Sequence, residues 1–162
     1  MWLNSGLWVT LLILHGIAAF LLLGGLTHQT LSVWIPVHRH IDSFFDRARA
    51  VSAKNYSVAI IVFYVVTFAI GMVIYPDFKL TGNKVLTAHH MTKTLQGFEF
   101  KEHVLAIGLA LLPAYYYYWR PPLAHERDTV RAMLTSVLAF ISWAGFIVGH
   151  IVNNVAGLAI SA

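Results

Sequence analysis

Four apolar stretches divide the chain. Apart from Arg39, no Asp, Glu, Lys or Arg occurs between Met1 and His40; none occurs from Asn55 to Pro76, from His103 to Trp119, or from Ala132 to Ala162. A helix needs about 20 residues to cross the roughly 30 Å hydrocarbon core of a bilayer. The pattern therefore predicts membrane spans at about 6–33, 57–75, 99–119 and 131–155. Helical periodicity adds little, because a lipid-facing helix can be apolar all round. The expected fold is an all-α integral membrane protein: a four-helix transmembrane bundle, up-down-up-down, forming one domain over residues 1–162.

Residues at the ends of these stretches fit the same plan. Trp8 and Trp34 bracket the first span, and Tyr75 closes the second before Pro76. Tyr115 to Tyr118 and Trp119 close the third, and Arg120-Pro121-Pro122 stops it. Aromatic side chains favour the headgroup level, and proline rarely continues a helix. The four-Tyr run is thus read as an interface anchor, with a redox relay as its alternative. Ile41, Phe44, Phe45, Ala48 and Val51 fall at helical spacing among charged residues. That spacing predicts an interfacial amphipathic helix at about 40–52, or a contact for a partner subunit. The stretch 77–98 reads as a polar outer loop with a turn at Thr81-Gly82-Asn83. Met1-Trp2-Leu3-Asn4 lacks a positive n-region, so the first span is expected to be kept rather than cleaved as a signal peptide.

Composition narrows the class. Hydrophobic residues make up 58% of the chain and charged residues 11%, against about 25% charged in soluble domains. Mean hydropathy is +0.68. A soluble enzyme, a disordered regulator and a nucleic-acid-binding domain are all excluded, and the pI near 9.5 does not reverse this. The 11 Lys and Arg cannot form one basic face when they are spread over separate loops. With no cysteine, disulfides, iron–sulfur clusters, thiolate metal sites and covalent c-type haem are excluded as well. Loops one and three carry seven Lys and Arg against four in loop two. The positive-inside rule then places loops one and three in the cytoplasm and both termini outside it. The expected location is an energy-transducing membrane such as the bacterial inner membrane.

Nine histidines are many for 162 residues. An imidazole is costly in a bilayer and is a common ligand for metals and haem. His15, His103 and His150 lie in spans one, three and four. Because successive spans are antiparallel, all three fall toward the same membrane face, roughly 5–12 Å from the midplane at 1.5 Å rise per residue. Small residues accompany them: Ala106, Ala110 and Ala114 at helical spacing from His103, and the pair Gly145 and Gly149 beside His150. Glu99, Trp143, Asn153 and Asn154 are the polar and aromatic groups expected around the histidines. Small-residue stripes also serve plain helix packing, and a buried histidine can simply donate to a backbone carbonyl.

A closed zinc or copper site usually takes three or four strong ligands. Haem b needs only two imidazoles and an apolar slot. His15, His103 and His150 are therefore the candidate axial ligands of one haem b, with a quinone as a further cofactor and Glu99 and Glu102 as surface proton carriers or ion-pair partners. His15 and His28 are thirteen residues apart, a rotation of about 220°, so stacking two haems along the first span is the minor reading. His38, His40, His89, His90 and His125 are expected in loops; the pair His89-His90 is a lesser candidate for a partner or metal contact.

In helix count and histidine placement, the chain resembles small four-helix membrane cytochrome b subunits. The resemblance implies electron relay between quinone and a peripheral redox protein, within a larger respiratory or oxidoreductase complex that includes other membrane subunits. The competing expectation is a cofactor-free accessory or assembly subunit of such a complex. A small transporter is the weakest reading, since paired inverted repeats and matching broken helices are lacking. The chain is expected to be non-catalytic on its own.

Overall fold

A computed structural model describes residues 5–35 and 56–161; the surface helix expected at about 40–52 lies outside them. Four long helices and one short one account for most of the described chain, which contains no strand. They are α1 (Ser5–Trp34), α2 (Ser57–Leu80), α3 (Gly82–Ala88), α4 (Thr92–Trp119) and α5 (Asp128–Ser161), with a 3-10 turn at His125–Arg127 before α5. α1 packs on α2 and α5, and α5 packs most extensively on α4. α2 and α4 meet least closely of the adjoining long helices, so the ring of helices has one thin seam.

Helix ends depart from the sequence expectation in two places. α2 does not close at Tyr75 but runs through Pro76 to Leu80. Proline removes one backbone donor and crowds one preceding carbonyl, and the hydrogen bonds beyond it are kept: the Thr81 N–H reaches the Asp77 carbonyl at 3.0 Å. α4 starts at Thr92, seven residues before the expected span, so the outer stretch 77–98 is largely helical rather than a loop. What holds it is aromatic packing that a count of polar residues does not register. Phe98 stacks on Phe78 at 4.2 Å and on Tyr75 at 6.1 Å between ring centres. Leu86 of α3 is fully buried under them with Val152 and Ala156 of α5. At the α2–α3 junction a Cβ on Gly82 would meet the Phe78 ring at 2.7 Å, so the glycine permits the close turn. By contrast α4 ends where expected. Arg120 precedes Pro121 and turns extended (φ −73°, ψ 141°), as the residue before a proline tends to do.

The main core lies toward the other end, where Leu22, Leu26, Ile60, Tyr64, Leu112, Tyr115, Trp119, Leu138 and Ala139 meet. Outside it the surface is apolar: Phe20, Phe140 and Leu158 are each more than 70% exposed. Such a surface is stable against lipid, not water. α1, α2 and the segment His125–Leu158 are long and apolar enough to cross a membrane. α4 has comparable length, 28 residues, but carries Glu99, Lys101 and Glu102 in its first half and the tyrosine run at its end.

Candidate functional site

A few polar side chains pair across helices, mostly in the half that contains the main core. The Tyr115 hydroxyl of α4 donates to Gln29 Oε1 of α1, both fully buried. Trp119 Nε1 donates to Thr135 Oγ1 at 3.1 Å, and that hydroxyl donates to the Arg131 carbonyl at 2.7 Å. Trp34 and Trp143 tie α1 to α5 through Ser136 Oγ (2.8 Å) and Thr27 Oγ1 (2.9 Å). The Tyr64 hydroxyl spans the thin seam from α2 to the Leu105 carbonyl of α4 at 2.9 Å. It can do so because Gly108 has no side chain; a Cβ there would collide with that hydroxyl. A low-polarity interior favours such satisfied pairs and penalises unmade ones. The tyrosine run thus splits by function. Tyr115 is an interior strut rather than an interface anchor, and Tyr116 and Tyr117 are exposed.

His15, His103 and His150 sit on α1, α4 and α5. His15 lies against Gly71 of α2; a Cβ on that glycine would sit 3.3 Å from the imidazole Cε1. Lys101 lies beside Gly149, its Cδ 3.8 Å from where a Cβ would be, and Lys101 is also within electrostatic reach of His15. Lys101 and Gly149, within two residues of His103 and His150 respectively, thus meet across the α4–α5 contact.

The three imidazoles face different ways. His15 is half-buried, and its Nδ1 is shielded from solvent without a hydrogen-bond partner. Thr67 Oγ1 and Trp8 Nε1 are likewise shielded and unpartnered. His103 and His150 point outward from the bundle. His103 Nδ1 lies 2.7 Å from the Glu99 carbonyl. A carbonyl only accepts, so Nδ1 carries a proton and donates here. The His150 ring stacks on Phe146 at 6.3 Å, nearly parallel.

The residues expected around the histidines have other partners. Glu99 pairs with Lys79 at 3.3 Å. The Asn154 amide donates to its own helix at the His150 carbonyl, 2.8 Å away. Trp143 serves the α1–α5 contact described above, and Asn153 is exposed. The glycine pair is occupied too. Leu105 fills the space over Gly145, where a Cβ would approach within 2.8 Å, and the Lys101 stem lies over Gly149. Its ammonium sits 4.0 Å from the centre of the Phe98 ring. Ala106, Ala110 and Ala114 lie on the exposed face of α4 with His103. His28 is half-buried with its ring 4.7 Å from that of Tyr56. His89 and His90 are exposed. Among the described residues no three His, Asp or Glu side chains converge as a metal site.

Sequence reasoning missed the buried Arg131, counting it as a loop cation. Its side chain is only 6% exposed, and Nη2 pairs with Asp128. The available signal was position: Arg131 stands one helical turn before Thr135 and two before Leu138. Comparison of the chain with family models, curated proteins and solved structures gives no match.

Proposed function

We propose that this chain is a four-span, membrane-embedded subunit of a larger complex, and that its histidine layer works at the boundary with a partner subunit rather than inside its own bundle. The observation that carries this reading is the outward-facing His103, exposed on α4 with Nδ1 held by a carbonyl. An imidazole within a turn of the bilayer edge gains no partner from lipid chains, so such residues are usually met by protein or ligand. Ala106, Ala110 and Ala114 below it leave a smooth strip on which a partner helix can approach closely.

Electron relay through haem b is the second reading, and one detail favours it. An axial imidazole commonly donates its other ring N–H to a carbonyl or carboxylate, which is the state of His103. A haem within this chain alone would need two inward imidazoles at one level, and His15 is the one that faces a helix neighbour there. The residues of the single bundle therefore do not fit an enclosed two-histidine haem. They fit a haem shared across an interface, with His103 or His150 as this chain's ligand and quinone chemistry supplied at the same boundary. The four-span placement, with both termini outside the cytoplasm of an energy-transducing membrane, belongs to this proposal.

The deciding experiment is to purify the chain twice from its native membrane, once alone in strong detergent and once with its partners in mild detergent. The proposal expects a stoichiometric membrane partner that is lost from His103→Ala or Ala110→Trp protein. Reduced-minus-oxidised haem bands present only in the complex, and lost in His103→Ala, would establish the second reading. A monodisperse wild-type chain that never copurifies with another subunit would sink the proposal. A haem spectrum in the isolated chain would show instead that the cofactor lies within the bundle.

A further inference from the structure

The seam between α2 and α4 is a groove, and its chemistry differs along its length. Val58, Ile61 and Val65 form one wall; Leu109, Leu112, Pro113 and Tyr116 form the other, enclosing about 400 Å³. Val58, Val65 and Tyr116 are exposed, so the groove is open on its outer side. Its lining is almost wholly apolar, which suits a hydrocarbon chain and gives a quinone ring few hydrogen-bond donors.

The α4 wall leads directly into a basic corner. Leu109, Pro113 and Tyr116 follow one helical stripe, and Arg120 is the next position along it. The Arg120 N–H donates to the Tyr116 carbonyl at 3.0 Å, which closes the last turn of α4 beside the groove wall. Arg120 and Arg127 both hold their guanidinium carbons over the Tyr117 ring, at 4.7 and 5.4 Å from its centre. Arg127 also donates to the Tyr117 hydroxyl at 3.4 Å. Two cations on one ring repel each other unless an anion joins them. The nearby Asp128 is committed to Arg131 and His125. Neither Arg120 nor Arg127 pairs with a carboxylate among the described residues.

We propose that this surface holds one anionic phospholipid, with an acyl chain in the α2–α4 groove and the phosphate clamped by Arg120 and Arg127 over Tyr117. The inference rests on membrane placement of the helices but not on any haem or partner subunit. Continuity selects the ligand: a basic corner one helical turn from an apolar groove matches a headgroup joined to a hydrocarbon chain. A bare phosphate would leave the groove empty, and a zwitterionic lipid, whose headgroup cation offsets its phosphate, would match two arginines less well than an anionic one. Guanidinium forks suit phosphate oxygens, and basic sites beside membrane helices select anionic headgroups.

The test is native mass spectrometry of the full chain, released from nanodiscs of mixed phosphatidylglycerol and phosphatidylcholine. Wild type should retain one phosphatidylglycerol in preference to phosphatidylcholine. Arg120→Gln/Arg127→Gln should lower that preference roughly twenty-five-fold, about fivefold for each charge. Val65→Trp, which fills the groove, should reduce retention of both lipids. Circular dichroism of each variant confirms the fold. Equal retention of the two lipids by wild type, or an unchanged preference in the double variant, would overturn the proposal. So would full displacement of the lipid by millimolar inorganic phosphate, which would mean that the arginines bind an anion without the groove. A groove variant that keeps its lipid but loses a copurifying protein would assign the groove to a partner helix.

Discussion

At the scale of single residues, the bundle is held by polar atoms placed one per contact. Gln29 and Tyr115 show what this costs when undone. Gln29→Leu leaves the buried Tyr115 hydroxyl without its acceptor, and an orphaned buried donor costs about 1–3 kcal/mol. The expected outcome is a lower melting temperature in detergent, largely restored when Tyr115→Phe is added, because both partners are then apolar. If the double variant is no better than the single one, the hydrogen bond is not the cause. Position along the helix was legible in the sequence for these residues, and direction was not. Tyr115 and Tyr116 are adjacent, yet one is sealed in the core and the other is 51% exposed. A 100° step decides this, and apolar all-round helices carry no pattern from which to read it. The same gap separates depth from facing in the histidine layer: antiparallel arithmetic placed His15, His103 and His150 at one level, but could not say that two of them look outward.

At the scale of elements, glycines set how closely helices approach. Gly108→Ala forces the Tyr64 ring out of its seat, and overpacking of this kind costs about 1–3 kcal/mol. Loss of the hydroxyl removes only the nearest contact, since Tyr64 Cζ and Ile141 Cγ2 remain 2.8 and 3.0 Å from the new Cβ, so Gly108→Ala/Tyr64→Phe should recover part of the melting temperature lost in Gly108→Ala. Gly145→Leu should instead separate α4 from α5 by displacing Leu105, a change with no single compensating partner. The short α3 ends in a left-handed residue, His90 (φ 56°), while the Met91 N–H reaches back to the Leu86 carbonyl at 2.8 Å. Glycine is the usual choice at that position. His90→Gly should therefore raise stability by about 0.5–1 kcal/mol, read as a small rise in melting temperature. Polar residues in 77–98 read as a loop because hydropathy counts composition. The Phe78–Phe98 stack and the insertion of Leu86 are pairings between distant positions, which no local window contains.

At the scale of the whole molecule, the absence of cysteine makes topology directly measurable. Single variants Ser5→Cys, Thr92→Cys and Leu123→Cys can be probed with a membrane-impermeant thiol reagent on intact cells. Ser5 and Thr92 should label from outside, and Leu123 only after the membrane is opened. Labelling of Thr92 and Leu123 from the same side would mean that α4 does not cross. This is where the gaps between charges were most informative: they delivered the number and order of the long helices. They were silent on α4's mixed character, since Glu99, Lys101 and Glu102 share a helix with a fully apolar middle turn.

The thin contact between α2 and α4 has a consequence for assembly. α1 with α2, and α4 with α5, form two antiparallel hairpins joined through the short α3 stretch. Their shared boundary is the α1–α5 face, fastened by Trp34 to Ser136 and Trp143 to Thr27. A chain severed between Ala88 and Thr92 should accordingly reconstitute from two coexpressed fragments, docking α1 on α5 and re-forming the sparser α2–α4 contacts at Tyr64 and Phe98. The molecule is less a closed barrel than a book, with its spine at α1–α5 and its far edge held by a few clasps at Tyr64, Phe98 and Lys79.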